Sequence, residues 1–405
     1  MARTNQNLPK PIRFLLENSA FLILGAMAGL AWANLDHPGY EKLLHFAILE
    51  NSWIGVPHGA TKVIDFHFLI NEILMALFFA IAGIEVRKAF LPGGPLARPR
   101  EAATTLIATL GGIAIPALVF VAGAALLGDL DALGRGWAIP CATDIAFSYM
   151  VARFVFGAGH PAIPFLLLLA IVDDAAGLII LAVFYPQKAV EPAWLLLAVA
   201  AMGLAWLFHR LRVHSFWPYL LIAGAISWFG FAQAGLHPAL GLLPIIPVMP
   251  HAHSDKGLYD WSRLGRQDTI TALEVWWKNP VELILGLFGL LNAGVVFESM
   301  GEVTWLVLAG LLIGKPLGIW SFGLFSARKL GFGLPGGMSG RDLFVIGWAA
   351  AIGFTVALFV STVAFPPGGL QDAAKMGALL SFLAAPITIL VARLLGIEKR
   401  PADAA

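Results

Sequence analysis

Two carboxylates stand side by side in Ala170-Ile171-Val172-Asp173-Asp174-Ala175, near the middle of an apolar run that covers about residues 162 to 185. Charged groups inside such a run cost several kcal/mol to bury and face a protein interior or a water-filled cavity. Two adjacent carboxylates repel each other if both are charged and unpaired, so some cation has to resolve the pair. Neighbouring residues on a helix point about 100° apart, so the two cannot serve one ligand equally. One can hold a fixed charge partner while the other binds a mobile ion. Burial and a like charge alongside favour the protonated form of a carboxyl group. A carboxyl group that is partly protonated at working pH can exchange its proton for a hard monovalent cation. Carboxylate oxygens suit a hard ion, and the chain offers no thiolate cluster for a softer one.

The other ionisable groups in apolar runs are Glu72, Glu85, Asp144, Glu282 and Lys315. Lys315, in Gly314-Lys315-Pro316, is the one basic residue deep within a run and needs a buried anion, with Asp173 or Asp174 the natural candidate. Asp144 follows Pro140, Cys141, Ala142 and Thr143. Pro140 removes a backbone donor, Thr143 can bond backbone carbonyls, and Asp144 can neutralise the positive end of a half-helix, which predicts an interrupted span. A second run, Gly347-Trp348-Ala349 through Ala351-Ile352-Gly353-Phe354-Thr355, repeats the Gly-Trp-Ala of residues 136 to 138 and can host a matching break at Gly353. Paired interrupted spans in two halves point to a midplane site. Glu85 and Glu282 fit a water-exposed helix end or a structural hydrogen bond as well as a site. Glu72 reads as structural and Cys141 as a packing residue.

The elements that must position these groups follow from composition. Of 405 residues, 59% are hydrophobic and 13% charged, with a mean hydropathy of +0.81, more apolar surface than a soluble core can hide. Apolar runs long enough to cross a ~30 Å hydrocarbon layer as helices recur along nearly the whole chain. Twelve are predicted, at about 13–34, 67–88, 102–126, 137–156, 162–185, 191–209, 215–232, 236–250, 274–296, 303–325, 343–365 and 373–395. None alternates with the two-residue period of a membrane strand, so the fold class is all-α and polytopic. Placing both termini in the cytoplasm puts twenty of the 26 Lys and Arg on that side, five outside, and Lys315 within a span. The run from about Phe14, preceded by Arg3, Lys10 and Arg13, lacks a small-residue cleavage site and reads as a retained first helix.

The connection at about 35–66 lies outside and carries a turn signal, Pro57-His58-Gly59, which fits a short hairpin or an irregular loop equally well. His251, His253 and Asp255 alternate as metal ligands can, but a solvated loop explains them too. Leu334-Pro335-Gly336-Gly337 lacks the Lys-Ser/Thr ending of a phosphate-binding loop, so no ATP-driven motor is visible and ion gradients are the expected energy source. The single Cys141 excludes an internal disulfide, and 26 basic against 25 acidic residues give no reason to expect nucleic acid.

Several stretches together match one pattern: Gly136-Trp137-Ala138-Ile139-Pro140 with Ala142-Thr143-Asp144-Ile145-Ala146-Phe147, Leu169-Ala170-Ile171-Val172-Asp173-Asp174, Phe184-Tyr185, Asn292-Ala293-Gly294, Leu311 through Ile319, and Ile352-Gly353-Phe354-Thr355. The chain resembles the NhaA-type sodium/proton antiporters. The resemblance implies one integral membrane domain in the bacterial inner membrane, with core repeats at about 102–185 and 303–395 in inverted orientation. It also implies crossed broken helices in spans four and eleven, and electrogenic exchange of protons for Na+ or Li+, serving sodium and pH homeostasis. Asp174 would be the principal ion and proton ligand, Asp173 the carboxylate paired with Lys315, Asp144 the balance for the facing half-helix ends, and Thr143 a neighbour of the ion. Glu85, Arg87, Lys88 and Glu274 fall in the family's pH-sensing region. No cofactor and no catalytic residue are implied, and a homodimer formed through the outer loop is. The chain departs from the pattern at Ala89, at Ile163 or Pro164, at Gly286 and in the Pro-rich stretch Pro244, Pro247 and Pro250, and Glu274 matches only with one residue of slippage.

Two rival classes share features of this sequence. An intramembrane aspartyl protease also needs two membrane carboxylates for acid and base work, yet it draws them from separate helices and carries a Gly-x-Gly-Asp tetrapeptide that this chain lacks. A non-exchanging channel or sensor could keep the same ion site, because exchange is a property of motion.

Overall fold

The computed structural model describes residues 20–59, 61–251 and 268–400, and these form helices and one small sheet. Six helices are long and apolar enough to cross a membrane: Phe66–Phe90, Pro99–Leu126, Ala162–Phe184, Pro192–Arg210, Glu302–Arg328 and Gly369–Leu394. Two helix pairs, Leu130–Cys141 with Ile145–Phe156 and Gly340–Ala349 with Phe354–Ala364, qualify when taken together but bend by 51° and 54° at short breaks. Shorter apolar helices cover Ala20–Leu35, Tyr219–Ala234 and Pro238–Val248. The Thr269–Asn292 helix starts earlier than the hydropathy suggested, because the Asp268 carboxylate accepts the Thr271 N–H at 2.8 Å and caps it. Glu282 therefore lies near its middle rather than at a helix end.

The chain divides into two compact units. One comprises residues 1–94 and 181–291, the other residues 95–180 and 292–405. In the first, Ala20–Leu35 approaches Thr269–Asn292 closely enough that a Cβ at Gly25 would strike the backbone of Gly286, and one at Gly29 the backbone of Leu290. Small residues are what let two helices touch without side chains between them. Tyr40, fully buried, sends its hydroxyl to the carbonyls of Leu290 and Leu291 at the last turn of Thr269–Asn292, where helix geometry leaves carbonyls unpartnered. A second apolar cluster joins Ala80, Ile84, Phe216, Tyr219, Ile245 and Ile246.

The 35–66 connection holds a three-stranded antiparallel sheet in which Thr61–Asp65 lies between Ala47–Asn51 and Val56–His58. His58 pairs with Thr61, so the turn signal lies in a hairpin, with Gly59 at φ +62 as a tight turn favours. Asn51 ends its strand by accepting the N–H groups of Trp53 and Ile54.

In the second unit, Pro99–Leu126 packs on Glu302–Arg328, where a Cβ at Gly318 would meet the backbone of Gly111 and one at Gly314 that of Pro116. Pro316 has no N–H to give the preceding turn, and the residues before Lys315, Gly310–Gly314, open into a wide turn that absorbs the fault. Phe156, Phe165, Leu166, Ile319, Leu343 and Ile346 form the apolar cluster of this unit.

Candidate functional site

The candidate residues of the second unit meet where the two bent pairs break. In the first pair, a tight helix Gly134–Cys141 ends one residue after Pro140, Ala142 turns extended, and Ile145–Phe156 begins after Asp144. In the second, Gly340–Ala349 ends and Phe354–Ala364 begins after Gly353. Gly353 has φ −108, which any residue can adopt. Its lack of a side chain matters for proximity, since a Cβ there would lie 2.8 Å from Leu311 Cδ2 and 3.0 Å from the Ala142 carbonyl.

Backbone groups freed at a break and buried away from water need partners, and here the two breaks supply several of each other's. The Asp144 N–H donates to the Ile352 carbonyl at 2.7 Å. The Thr143 hydroxyl donates to the Ala350 carbonyl at 3.1 Å. Asp144 Oδ1 accepts the Phe147 N–H at 3.2 Å, and Oδ2 accepts the Thr355 N–H at 3.3 Å and its hydroxyl at 2.7 Å. A single buried carboxylate thus caps the N-termini of both Ile145–Phe156 and Phe354–Ala364. Each N-terminus carries about half a positive charge, so one carboxylate offsets the pair.

Asp173 lies on Ala162–Phe184, and its Oδ2 is 2.9 Å from Lys315 Nζ. Both side chains are buried, with relative exposures of 2% and 0%. Lys315 also donates to the Cys141 carbonyl, the C-terminal end of the first half-helix, where a cation is favourable. Thr143 stands beside Asp173 as a polar neighbour, while its hydroxyl proton goes to the Ala350 carbonyl. Asp174, next along the helix and partly buried, is turned away from Asp173 by the helical step. A cavity beside the pair is lined by Asp173, Cys141, Ala138, Ile113, Gly177 and Val356, all but one of them apolar or weakly polar. Cys141 is buried, with its thiol 3.4 Å from the Ile113 carbonyl.

The remaining candidates lie in the first unit. Lys88 forms an ion pair with Glu274. Glu85 has Glu274, Lys88 and Lys278 as charged neighbours. Arg87 donates to the carbonyls of Ile246 and of Met249, the latter at 2.9 Å, and so ties the Pro-rich stretch to the Met75–Phe90 helix. Glu72 lies 3.2 Å from His237, and its carbonyl accepts the Trp228 indole N–H at 2.8 Å. His251 meets Asp268 at 2.6 Å, while His253 and Asp255 lie outside the described residues. Among the described residues no group of three or more His, Cys, Asp or Glu is placed to hold a metal ion. Sequence reasoning gave no role to Thr355, Ser381 or Lys278. Thr355 adjoins the Gly353 break in sequence, whereas Ser381 reaches it only through the fold.

Long apolar helices, two of them broken at a shared buried junction of carboxylates and a lysine, define a polytopic membrane transporter. Residues 14–392 match the family model described as Na+/H+ antiporter 1, and the chain belongs to that family. It is 52% identical over 413 residues to the Na(+)/H(+) antiporter NhaA of Jannaschia sp. (strain CCS1), covering 96% of this chain and 98% of that one. It is 46% identical over 394 residues to the Na(+)/H(+) antiporter NhaA of Geobacter metallireducens, covering 97% and 100%. The sodium proton antiporter MjNhaP1 from Methanocaldococcus jannaschii shares the fold, with a TM-score of 0.55 at 14% identity over 94% of this chain and 92% of that one.

Proposed function

We propose that the chain is a secondary active antiporter that exchanges Na+ or Li+ for protons across the bacterial inner membrane, electrogenically, for sodium and pH homeostasis. The observation that carries this reading is the buried Asp173–Lys315 pair next to Asp174. Lys315 balances Asp173, which separates the roles of the two carboxylates. Asp174 is the mobile ligand's site. A proton and a hard cation compete for its oxygens, and since both cannot bind together, passage of one requires release of the other. Asp144 offsets the two half-helix N-termini, which would otherwise repel an arriving cation. Lys315 offsets the carbonyl end at Cys141, and Thr143 stands beside the ion. Pro140 and Gly353 shape the two breaks that bring these groups together.

In the same reading twelve spans leave both termini in the cytoplasm, and core repeats at about 102–185 and 303–395 are related by inversion, with their broken helices crossed. The other helices form an interface, and the outer sheet joins two copies in a homodimer. Glu85, Arg87, Lys88 and Glu274 form a pH-responsive cluster, supported by the Lys88–Glu274 pair and by Glu85 beside it.

Inside-out vesicles holding a proton gradient test the exchange. Added Na+ or Li+ dissipates the gradient in the wild type, and Asp174→Asn abolishes the response. Full activity in that variant, delivered to the membrane at wild-type level, refutes the assignment. Repeating the assay with K+ and across pH settles ion choice and pH response together.

A further inference from the structure

We infer that Ser381 is a positioning residue for ion exchange, acting on the site through one peptide group of the second break. The inference rests on the antiport reading above. Ile352 and Gly353 share that peptide group. Its carbonyl accepts the Asp144 N–H at 2.7 Å, and its N–H donates to Ser381 Oγ at 3.2 Å. It is therefore held at both ends, once by the first broken helix and once by a side chain from a third element. Asp144 follows Thr143, which stands beside Asp173 as a polar neighbour while its hydroxyl proton goes to the Ala350 carbonyl. Two hydrogen bonds thus join Ser381 through peptide 352–353 to Asp144, whose neighbour Thr143 stands beside Asp173 of the carboxylate pair.

The local geometry fits Ser381 for this task. It lies in the tight turn Ser381–Leu383 between Gly369–Leu380 and Ala384–Leu394, and it is fully buried. Its hydroxyl proton goes to the Ala378 carbonyl at 2.6 Å, which orients the oxygen as an acceptor for the Gly353 N–H. A buried amide without an acceptor is costly, so the peptide would rotate toward another partner if that oxygen were removed, and the Ile352 carbonyl would move with it. The same turn places Phe382 between the two broken helices, its ring 5.1 Å from Phe147 and 4.7 Å from Phe354 between centroids. That packing keeps the Ser381 turn against the break independently of the hydrogen bond.

The test compares the Na+ concentration giving half-maximal dissipation of the proton gradient, and its pH profile, for wild type, Ser381→Ala, Ser381→Cys, Ser381→Thr and Ser361→Ala. Ser361 is an equally buried hydroxyl that donates only within its own helix, to the Ala357 carbonyl. Ser381→Ala raises the half-maximal Na+ concentration about ten-fold, the scale of one buried donor left unsatisfied. Ser381→Thr, which keeps the acceptor, restores most of the loss, while Ser361→Ala keeps the wild-type value. A wild-type half-maximal concentration and pH profile in Ser381→Ala overturn the inference, as does an equal shift in Ser361→Ala. Ser381→Cys, nearly isosteric with a weaker acceptor, decides the matter if Ser381→Ala does not reach the membrane: an unchanged value overturns the inference and a several-fold rise supports it. A wild type that ignores both Na+ and Li+ refutes the antiport reading itself, whereas a responding wild type with an indifferent Ser381→Ala refutes this inference alone.

Discussion

The hydroxyl of Thr355 donates to Asp144 Oδ2 at 2.7 Å, while the N–H of the same threonine approaches that oxygen at 3.3 Å. A residue at the start of one half-helix thus gives both of its donors to the carboxylate that also caps the other. With Phe147 on Oδ1, Asp144 is held from two helices at once. Its charge is thereby fixed at the junction rather than free to swing toward the transported ion.

Removing that hydroxyl isolates its contribution. Thr355→Val preserves shape and the N–H contact, yet leaves a buried carboxylate one donor short, which lowers stability by about 1–3 kcal/mol. Thr355→Ser retains most of it. Thermal unfolding in detergent reads the difference, and a Thr355→Val protein as stable as Thr355→Ser would refute the role given to the hydroxyl.

The Asp173–Lys315 pair predicts a non-additive result. Lys315→Met strands a buried carboxylate and Asp173→Asn strands a buried ammonium, and each costs about 3–5 kcal/mol. The double variant removes both charges and is more stable than the sum of the singles implies. Melting temperatures of all four proteins test it, and strict additivity would show that the two groups are not coupled.

Tyr40→Phe removes the hydroxyl shared by the Leu290 and Leu291 carbonyls without changing the ring. It lowers stability by about 1 kcal/mol. Tyr40 stands outside the unit that holds the carboxylates, so the Na+ concentration for half-maximal exchange stays at its wild-type value. A shifted transport affinity with unchanged melting would contradict this account of the residue.

The groups at the site differ in how plainly the sequence displays them. Asp173, Asp174, Asp144 and Lys315 stand out because a charge in an apolar run is expensive and needs an explanation. Pro140 announces a break by its missing donor. Thr355 and Ser381 do not stand out, because a hydroxyl in an apolar helix usually bonds its own preceding turn. Thr109, Ser361 and Thr388 do so, donating to the carbonyls of Thr105, Ala357 and Ala384. Nothing in the sequence separates those three from Thr355, which donates to Asp144 on another helix, or from Ser381, which bonds its preceding turn and also accepts the Gly353 N–H, because that depends on which turn lies across the gap. The outer sheet was legible to the same degree: Pro57-His58-Gly59 signals a turn, but only strand pairing distinguishes a hairpin from a loop. Gly353 was legible as a break and not in its reason, since closeness to Ala142 rather than backbone freedom requires it.

His160 provides a pH prediction at a connection outside the spans. It lies between Ile145–Phe156 and Ala162–Phe184, buried and stacked on Phe156 with ring centroids 4.9 Å apart, and its Nδ1 accepts the Ala162 N–H at 3.1 Å. Accepting that bond requires Nδ1 to be unprotonated, so the neutral ring caps the helix that carries Asp173 and Asp174. Burial holds its pKa below the ordinary 6.5; Asp342 opposes the shift and Arg400 adds to it. The folded value is the lower one, so the unfolded chain binds more protons in the window at and below 6.5. Stability from this residue is therefore present above that window and lost as the pH falls through it. His160→Asn places an oxygen where Nδ1 stood and cannot be protonated, so it keeps the cap without the titration. The loss of melting temperature between about pH 7.5 and about pH 5 is then smaller in His160→Asn than in the wild type. Equal losses in the two proteins would show that another group carries the acid sensitivity.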